Sequence, residues 1–451
     1  MYKYLSLLND LEQWIQSGEY KEGDKLPSIR MLAGQYGCSK STIIRALDEL
    51  EQRHMVYSVA KSGYYVMKRE QRQHTDRTKL DFASSAPDPE VFPYLDFQQC
   101  INKAIDIYKN ELFVYGTPQG LPSLIQVIGK QLANYQVFTN ANHIYITSGI
   151  QQALAILTAI PFPNGKDTIL IEQPGYHLYI EYVETHHVPV LGIERTGEGI
   201  DLHELERLFR TQRIKFFYTM PRFHNPLGTS YSRQQKQAIA ELAERYDVYI
   251  VEDDYLADLE RDAKADPIYA YDRSAHVIYL KSYSKIIFPG LRVGAAVIPP
   301  SIAGPFHKYK KLLDIDSSML SQAALEIYIK NGMFERHKQK IGSAYSLRTE
   351  RLTSALEKAQ RQSKGLYRYT PAVNPCIHTC MTLDKRVRSE QLKSRLKRNS
   401  ILVETAEANY LSSFPKRPLL KLNVSNVRME DIERGIGLVI QEIERYGKET
   451  L

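Results

Sequence analysis

The sequence predicts two folds on one chain: a small helical head ending in a β-hairpin, then a large α/β body with a mostly parallel sheet. Three observations predict it. The chain has 451 residues, more than one hydrophobic core organises. Residues 68–79, KREQRQHTDRTK, contain no apolar side chain and read as a solvated linker. Across that break the pattern changes, from helical periodicity closed by two short apolar runs to apolar strands alternating with helical stretches. The expected domains are residues 1–67, a linker over 68–79, and residues 80–451.

In the head, Tyr4, Leu8, Leu11 and Ile15 recur at helical spacing, and Trp14 joins that face. Gly18 and Gly23 end the helix. A second helix follows Pro27 and Ser28, with Ile29, Leu32, Ala33 and Tyr36 inward. Gly37 and Cys38 turn the chain, and Ser39 is a suitable N-cap for a third helix whose core face is Ile43, Ala46, Leu47 and Leu50. The runs Val56–Val59 and Tyr64–Met67, joined through Ala60, Lys61, Ser62 and Gly63, form a hairpin. Three helices and a hairpin in that order describe a winged helix-turn-helix.

In the body, Ile144–Thr147, Thr168–Ile171, Phe216–Met220, Val248–Val251 and Val277–Leu280 read as strands separated by helices. That order predicts a mostly parallel sheet covered on both faces. Polar residues gather just beyond the carboxyl ends of these strands, where open α/β sheets bind ligands.

Bulk properties narrow the function classes. With 43% hydrophobic and 25% charged residues, the chain is not of disordered composition. No apolar run approaches a bilayer span, and the N-terminus, carrying Asp10 and Glu12, is not a signal peptide. A cytoplasmic protein without membrane partners is expected. Four cysteines are too few for a disulfide framework. Cys376, His378 and Cys380 lie close together, but no second cluster completes a metal site; they read as alternating positions of one strand, and no metal is expected.

The net charge of +7 permits a nucleic-acid partner, but its distribution says more. From Leu26 to Leu47 there is no acidic residue, while Arg30, Lys40 and Arg45 are present, as a stretch that approaches phosphates requires. Ser39, Lys40, Ser41 and Thr42 open the third helix, whose N–H groups and hydroxyls can bond phosphate oxygens. Arg45 lies opposite Ile43 and Leu47, where it could reach a base edge. Lys61 and Gly63 at the hairpin tip could enter a neighbouring groove. Charge alone fits a solvated face equally well. The wording of residues 18–66, including LPSIR and GCSKSTIIRAL, resembles the GntR-type winged-helix module almost from end to end. The resemblance implies operator contacts by Arg30, Ser39, Lys40, Ser41, Thr42, Arg45 and Gly63.

Five features follow in order along the body. Thr147, Ser148, Gly149, Ile150 and Gln151 make a strand-to-helix turn whose N–H groups could cradle a phosphate. Glu172 to Tyr176 places an aromatic where a flat ring could stack. Pro221 to Gly228 offers the Asn225 amide. Glu252, Asp253, Asp254 and Tyr255 end a strand, and a buried carboxylate there would stabilise a protonated ring nitrogen. Ser282 to Arg292 is the most specific: Lys285 sits between an apolar strand and a Pro-Gly turn, with Ser282, Ser284 and Arg292 available to a phosphate. Each feature alone also fits an ordinary turn, core tyrosine or helix cap.

Together, in this order and spacing, they resemble fold-type-I aminotransferases from about Asp81 onward, most strongly from Tyr115 to Gly294. A GntR head on an aminotransferase-like body, with a smaller C-terminal subdomain, is similar to the MocR subfamily of regulators. The resemblance implies pyridoxal 5'-phosphate (PLP) as cofactor, with Lys285 as the Schiff-base lysine. It implies that Asp253 pairs with the pyridine nitrogen, that Asn225 and Tyr255 hold the phenolic oxygen, and that Tyr176 stacks on the ring. It also implies phosphate contacts from Ile150, Gln151, Ser282, Ser284 and Arg292, and from Tyr115 across a head-to-tail homodimer.

One departure bears on function. Aminotransferases grip the substrate carboxylate with an arginine in a segment like LRLGF; the matching stretch here, Leu419 to Val424, has Lys421. A lysine is a point charge without the bidentate fork, and looser anchoring slows chemistry that needs one bond held in a fixed orientation. Ile125, after YGTPQGLPSL, also stands where many relatives have arginine. The expected function is a DNA-binding regulator that senses PLP or an amino compound, with Lys421 in the effector site. The alternative is a working aminotransferase carrying an accessory head.

Overall fold

A computed structural model describes residues 2–21, 23–52, 55–59, 62–67, 79–87, 91–262, 265–363, 365–374 and 376–450. The chain divides into two compact units, Met1–Lys79 and Leu80–Leu451.

In the first unit, α1 (Tyr2–Ser17), α2 (Ile29–Tyr36) and α3 (Lys40–Gln52) share a core with β1 (Val56–Val59) and β2 (Gly63–Val66). Leu8, Leu11 and Ile15 of α1 and Ile43, Ala46, Leu47 and Leu50 of α3 are buried. Leu7 is buried too, because the inward stripe of a core-facing helix is wider than one i, i+4 row. Leu32 is the sealed residue of α2, while Ile29, Ala33 and Tyr36 pack at the edge of the core. Gly37, with φ 54°, ends α2 in the left-handed conformation, and its N–H bonds back to the Ala33 carbonyl. The hairpin pairs Val56 with Val66 and Val59 with Gly63, and a bridge from Lys25 to Tyr65 extends it.

The second unit begins with β3 (Leu80–Asp81), α4 (Tyr94–Tyr108) and α5 (Pro122–Ala133). Among the described residues its main sheet has eight strands: β4 (Ile144–Thr147), β5 (Thr168–Gln173), β6 (Val190–Thr196), β7 (Gly199–Ile200), β8 (Ile214–Thr219), β9 (Tyr249–Asp253), β10 (Val277–Ser282) and β11 (Gly294–Val297). They lie in the order β4, β11, β10, β9, β8, β5, β6, β7. Neighbours from β10 through β6 run parallel; β11 and β7 run antiparallel to theirs. The crossovers carry α6 (Ile150–Ala159), α7 (His177–Thr185), α8 (Leu202–Thr211) and α9 (Arg233–Arg245). Strands β8, β9 and β10 are buried at every residue, which is why they read as unbroken apolar runs rather than alternating ones.

After α10 (Pro300–Asp314) and α11 (Met319–Lys330), the long α12 (Met333–Arg361) leads to a second layer. There β12 (Tyr367–Arg368), β13 (His378–Leu383), β15 (Glu404–Thr405) and β16 (Leu419–Asn423) form an antiparallel sheet in the order β12, β13, β16, β15. Helices α13 (Ser389–Arg398) and α14 (Met429–Thr450) belong to this layer, and β14 (Ile401–Leu402) pairs parallel with β3. Among the described residues, no helix is long and apolar enough to cross a membrane.

The strands of the main sheet run further than their apolar runs. Glu252 pairs with Tyr279 and Asp253 with Leu280, so Asp253 and Ser282 are the last residues of β9 and β10 rather than loop residues beyond them. Ladder pairing uses backbone groups and continues through polar side chains.

Candidate cofactor site and nucleic-acid interface

The carboxyl ends of β4, β5, β8, β9 and β10 meet at one edge of the main sheet, facing the smaller layer. A cavity of about 290 Å³ there is lined by Lys285, Asn225, Tyr255, His378, Asn409 and Lys421, among others. Asp253 is buried at the tip of β9. Its Oδ2 accepts from the Tyr218 hydroxyl at 2.8 Å, and its Oδ1 has no partner among the described residues. Burial pushes the Asp253 carboxyl up to about 7; Tyr218 opposes this and Asp254 adds to it. An orphaned buried carboxylate oxygen points to a donor that a ligand supplies.

Lys285 follows β10. Its Nζ donates to the carbonyl and hydroxyl of Ser85, at 2.7 and 2.8 Å. Burial pushes the ammonium down to about 8, and the charge of Lys421 lowers it further. A substantial neutral fraction near pH 7 is what a nucleophilic lysine needs.

Arg292, further along the chain, meets the start of α6. Gly149, with φ 77°, starts α6 with no side-chain cap, leaving the first N–H groups, including those of Ile150 and Gln151, toward the strand end. A Cβ on Gly149 would stand 2.9 Å from the Arg292 guanidinium, so only glycine leaves the gap open. Arg292, itself at φ 53°, donates to the Ser148 carbonyl at 2.7 Å, and the Ser284 N–H donates to Ser282 Oγ at 3.2 Å. Tyr176 accepts from Gln151 Nε2 at 3.3 Å, and its hydroxyl is pushed up to about 12 by burial and then by Asp253. Tyr255 donates to the Phe223 carbonyl at 2.8 Å and lies 3.3 Å from His378 Nε2. These residues fit PLP: an amine, a phosphate cradle, a buried carboxylate and an aromatic, all at one sheet edge.

Of the predicted site residues, Asn225, Tyr255, Lys285 and Lys421 line the cavity, whereas Ile150, Gln151, Tyr176, Asp253, Ser282, Ser284, Arg292 and Tyr115 do not. Tyr115 is 80% exposed. Lys421 lines the cavity from β16. Its Nζ donates to Asn409 Oδ1 at 3.3 Å, and burial lowers its pKa. Asn409 also exchanges two hydrogen bonds with Gly175, both 2.7 Å, tying this corner to the loop after β5.

Sequence reasoning missed Ser85, Asn409 and the role of His378. Ser85 and Asn409 carry no motif of their own. Cys376, His378 and Cys380 carried a signal, and they form a seam on the turn that bears Asn225. His378 Nε2 lies 3.1 Å from the His224 carbonyl, its Nδ1 3.4 Å from Cys376 Sγ, and Cys380 Sγ donates to the Pro226 carbonyl at 3.2 Å. Burial pushes His378 down to about 4, so the ring is neutral and Nε2–H can donate.

In the first unit, Ser39 caps α3: its Oγ accepts from the Thr42 N–H at 3.2 Å and sits 2.7 Å from Ser41 Oγ and 2.8 Å from Thr42 Oγ1. Arg30, Lys40 and Ser41 are exposed, and Thr42 is half-buried. Arg45 is exposed, with its guanidinium 5.3 Å from the centre of the Tyr4 ring, a contact that orients it from α1. Gly63, at φ 130°, opens β2. Lys61 lies outside the described residues.

Comparison with known proteins matches residues 77–437 to the family Aminotransferase class I and II, whose members depend on PLP, and residues 3–66 to the gntR family of bacterial regulatory proteins. The uncharacterized HTH-type transcriptional regulator YcxD of Bacillus subtilis (strain 168) is 57% identical over 98% of this chain and 100% of its own. The uncharacterized HTH-type transcriptional regulator YdcR of Escherichia coli (strain K12) is 26% identical over 82% of this chain and 83% of its own. Among solved structures, kynurenine aminotransferase from Pyrococcus horikoshii superposes with a TM-score of 0.74 at 26% identity, covering 82% of this chain and 91% of that one.

Proposed function

The chain belongs to the aminotransferase class I and II family, with a gntR-family module ahead of it in the MocR architecture, and from that premise we propose that it is a PLP-responsive, DNA-binding transcription regulator. The observation that carries the cofactor half is Lys285: a lysine with its pKa pushed down to about 8, facing a cavity shared with Asn225 and Tyr255. When bound, PLP supplies an aldehyde that captures a primary amine and a ring that draws electron density from it. Lys285 offers the amine. Asp253 holds a proton at the ring nitrogen, and Tyr176 lies against the ring face. Asn225 and Tyr255 hydrogen-bond the phenolic oxygen. Arg292, Ser282, Ser284 and the N–H groups of Ile150 and Gln151 bind the phosphate, and Tyr115 reaches the phosphate bound by the partner in a head-to-tail homodimer.

Lys421 anchors the carboxylate of an amino effector, and as a point charge it orients that effector less tightly than arginine would. Any transamination is therefore slow. On the DNA side, Arg30, Ser39, Lys40, Ser41 and Thr42 contact the backbone, Lys61 and Gly63 at the hairpin tip enter a neighbouring groove, and Arg45 reads a base edge. The protein acts in the cytoplasm. Titration with PLP tests the cofactor half: the wild type is expected to gain the absorbance of lysine-bound cofactor and Lys285→Ala to stay without it. Equal spectra for the two proteins would contradict the assignment.

A further inference from the structure

The chain enters the body through the cavity wall. Leu80 and Phe82 donate their N–H groups to the carbonyls of Ser400 and Leu402, both at 2.9 Å, and the Asn423 N–H, two residues beyond Lys421, donates to the Phe82 carbonyl at 2.8 Å. Asp81 Oδ1 accepts from the N–H groups of Ala83 and Ser84, each at 2.9 Å, and so turns the chain. Ser425 Oγ donates to the Ser84 carbonyl at 3.2 Å. Asn426 Nδ2 donates to Ser84 Oγ at 3.1 Å and to the Ala86 carbonyl at 2.7 Å. Held this way, Ser85 presents its carbonyl and its hydroxyl to Lys285 Nζ, at 2.7 and 2.8 Å. Ser85 stands six positions after Lys79, the last residue of the first unit.

We propose that residues 80–87 form a strap that reports the chemical state of Lys285 to the chain leading to the DNA-binding head. The proposal rests on the assignment of PLP to Lys285. Capture of the amine by the aldehyde sends the nitrogen lone pair to the carbonyl carbon, and the carbonyl oxygen leaves as water with both amine protons. The nitrogen ends doubly bonded to carbon, without an N–H in its neutral form and with one if it is protonated again. It cannot then donate to both the Ser85 carbonyl and the Ser85 hydroxyl. Ser85 is exposed, so water takes over the vacated acceptors and the tether to Lys285 is lost. Asn426 becomes the principal side-chain tether that remains. Occupancy of the site is thereby converted into looser attachment of the first residues after the linker.

Hydrogen exchange of the full-length protein, followed by mass spectrometry over residues 80–87, tests this with and without PLP, with bound cofactor monitored by absorbance. Exchange in this segment is expected to accelerate about tenfold on PLP binding, the factor that loss of one charge-assisted hydrogen bond corresponds to. Lys285→Ala, which has no amine to tether the strap, is expected to show the fast rate with or without PLP. Asn426→Ala is expected to keep the cofactor absorbance and to enlarge the PLP-dependent acceleration over residues 80–87, because Lys285 still holds the strap before capture and the main remaining side-chain tether is gone after it. Unchanged exchange over 80–87 while absorbance reports bound PLP would overturn the strap and leave the cofactor assignment standing. So would an Asn426→Ala protein whose exchange over residues 80–87 responds to PLP no more than the wild type's does. Absence of cofactor absorbance in the wild type would overturn the assignment and the strap with it.

Discussion

Lys285 and Lys421 line the same cavity, and the charge on Lys421 disfavours a charge on Lys285. The neutral amine is the nucleophile, so a depressed pKa raises the reactive fraction at neutral pH, and capture of PLP should quicken as pH rises through about 8. Lys421→Gln removes one of the two causes of that depression. The midpoint of the pH–rate profile for PLP association should then move upward, each unit lowering the neutral fraction at pH 7 about tenfold. An unmoved midpoint would show that Lys421 does not act on the amine. Asp253→Asn keeps the shape and removes the charge; PLP affinity should fall by about 1.5–3 kcal/mol, measured by absorbance titration. Lys285, Asp253 and Lys421 were legible in the sequence because each sits in a motif of fixed spacing. Ser85 was not: it meets Lys285 from 200 residues away, and no local pattern encodes such a contact.

At the scale of elements, the parallel strands and the three helices of the head were legible from periodicity, because one buried face imposes period 3.6 and two buried faces impose an unbroken apolar run. The strand ends were not, since ladder pairing carries β9 and β10 into their polar residues. The seam between β13 and the turn bearing Asn225 was hidden for a related reason. Three side chains at alternate positions read as a strand, but the partner they dock on lies in another layer. His378 Nε2 lies 3.1 Å from the carbonyl of His224, the residue before Asn225. His378→Ala should shift the absorbance of bound PLP and weaken its binding, and His378→Gln, which keeps a donor, should restore the spectrum in part. In the head, α3 presents Arg45 outward while Ile43 and Leu47 are sealed. Arg45→Ala should weaken specific DNA binding by about 1–3 kcal/mol in anisotropy titrations and leave non-specific binding little changed.

For the whole molecule, two compact units joined near Lys79 place a cofactor site and a DNA reader on one chain, and regulation requires a free-energy link between them. The division into a head and a body was legible from the apolar-free stretch 68–79, whereas the entry of residues 80–87 into the cavity was not, because that run has no periodicity. Binding of the purified protein to DNA from upstream of its own gene decides whether the two units are linked in this way. Fluorescence anisotropy at fixed salt, with unrelated DNA as competitor, would be read with and without PLP for the wild type and for Lys285→Ala. Specific binding by both proteins is expected, with an affinity that PLP changes in the wild type alone. No preference over unrelated DNA in any of these conditions, or the same PLP response in Lys285→Ala, would contradict it.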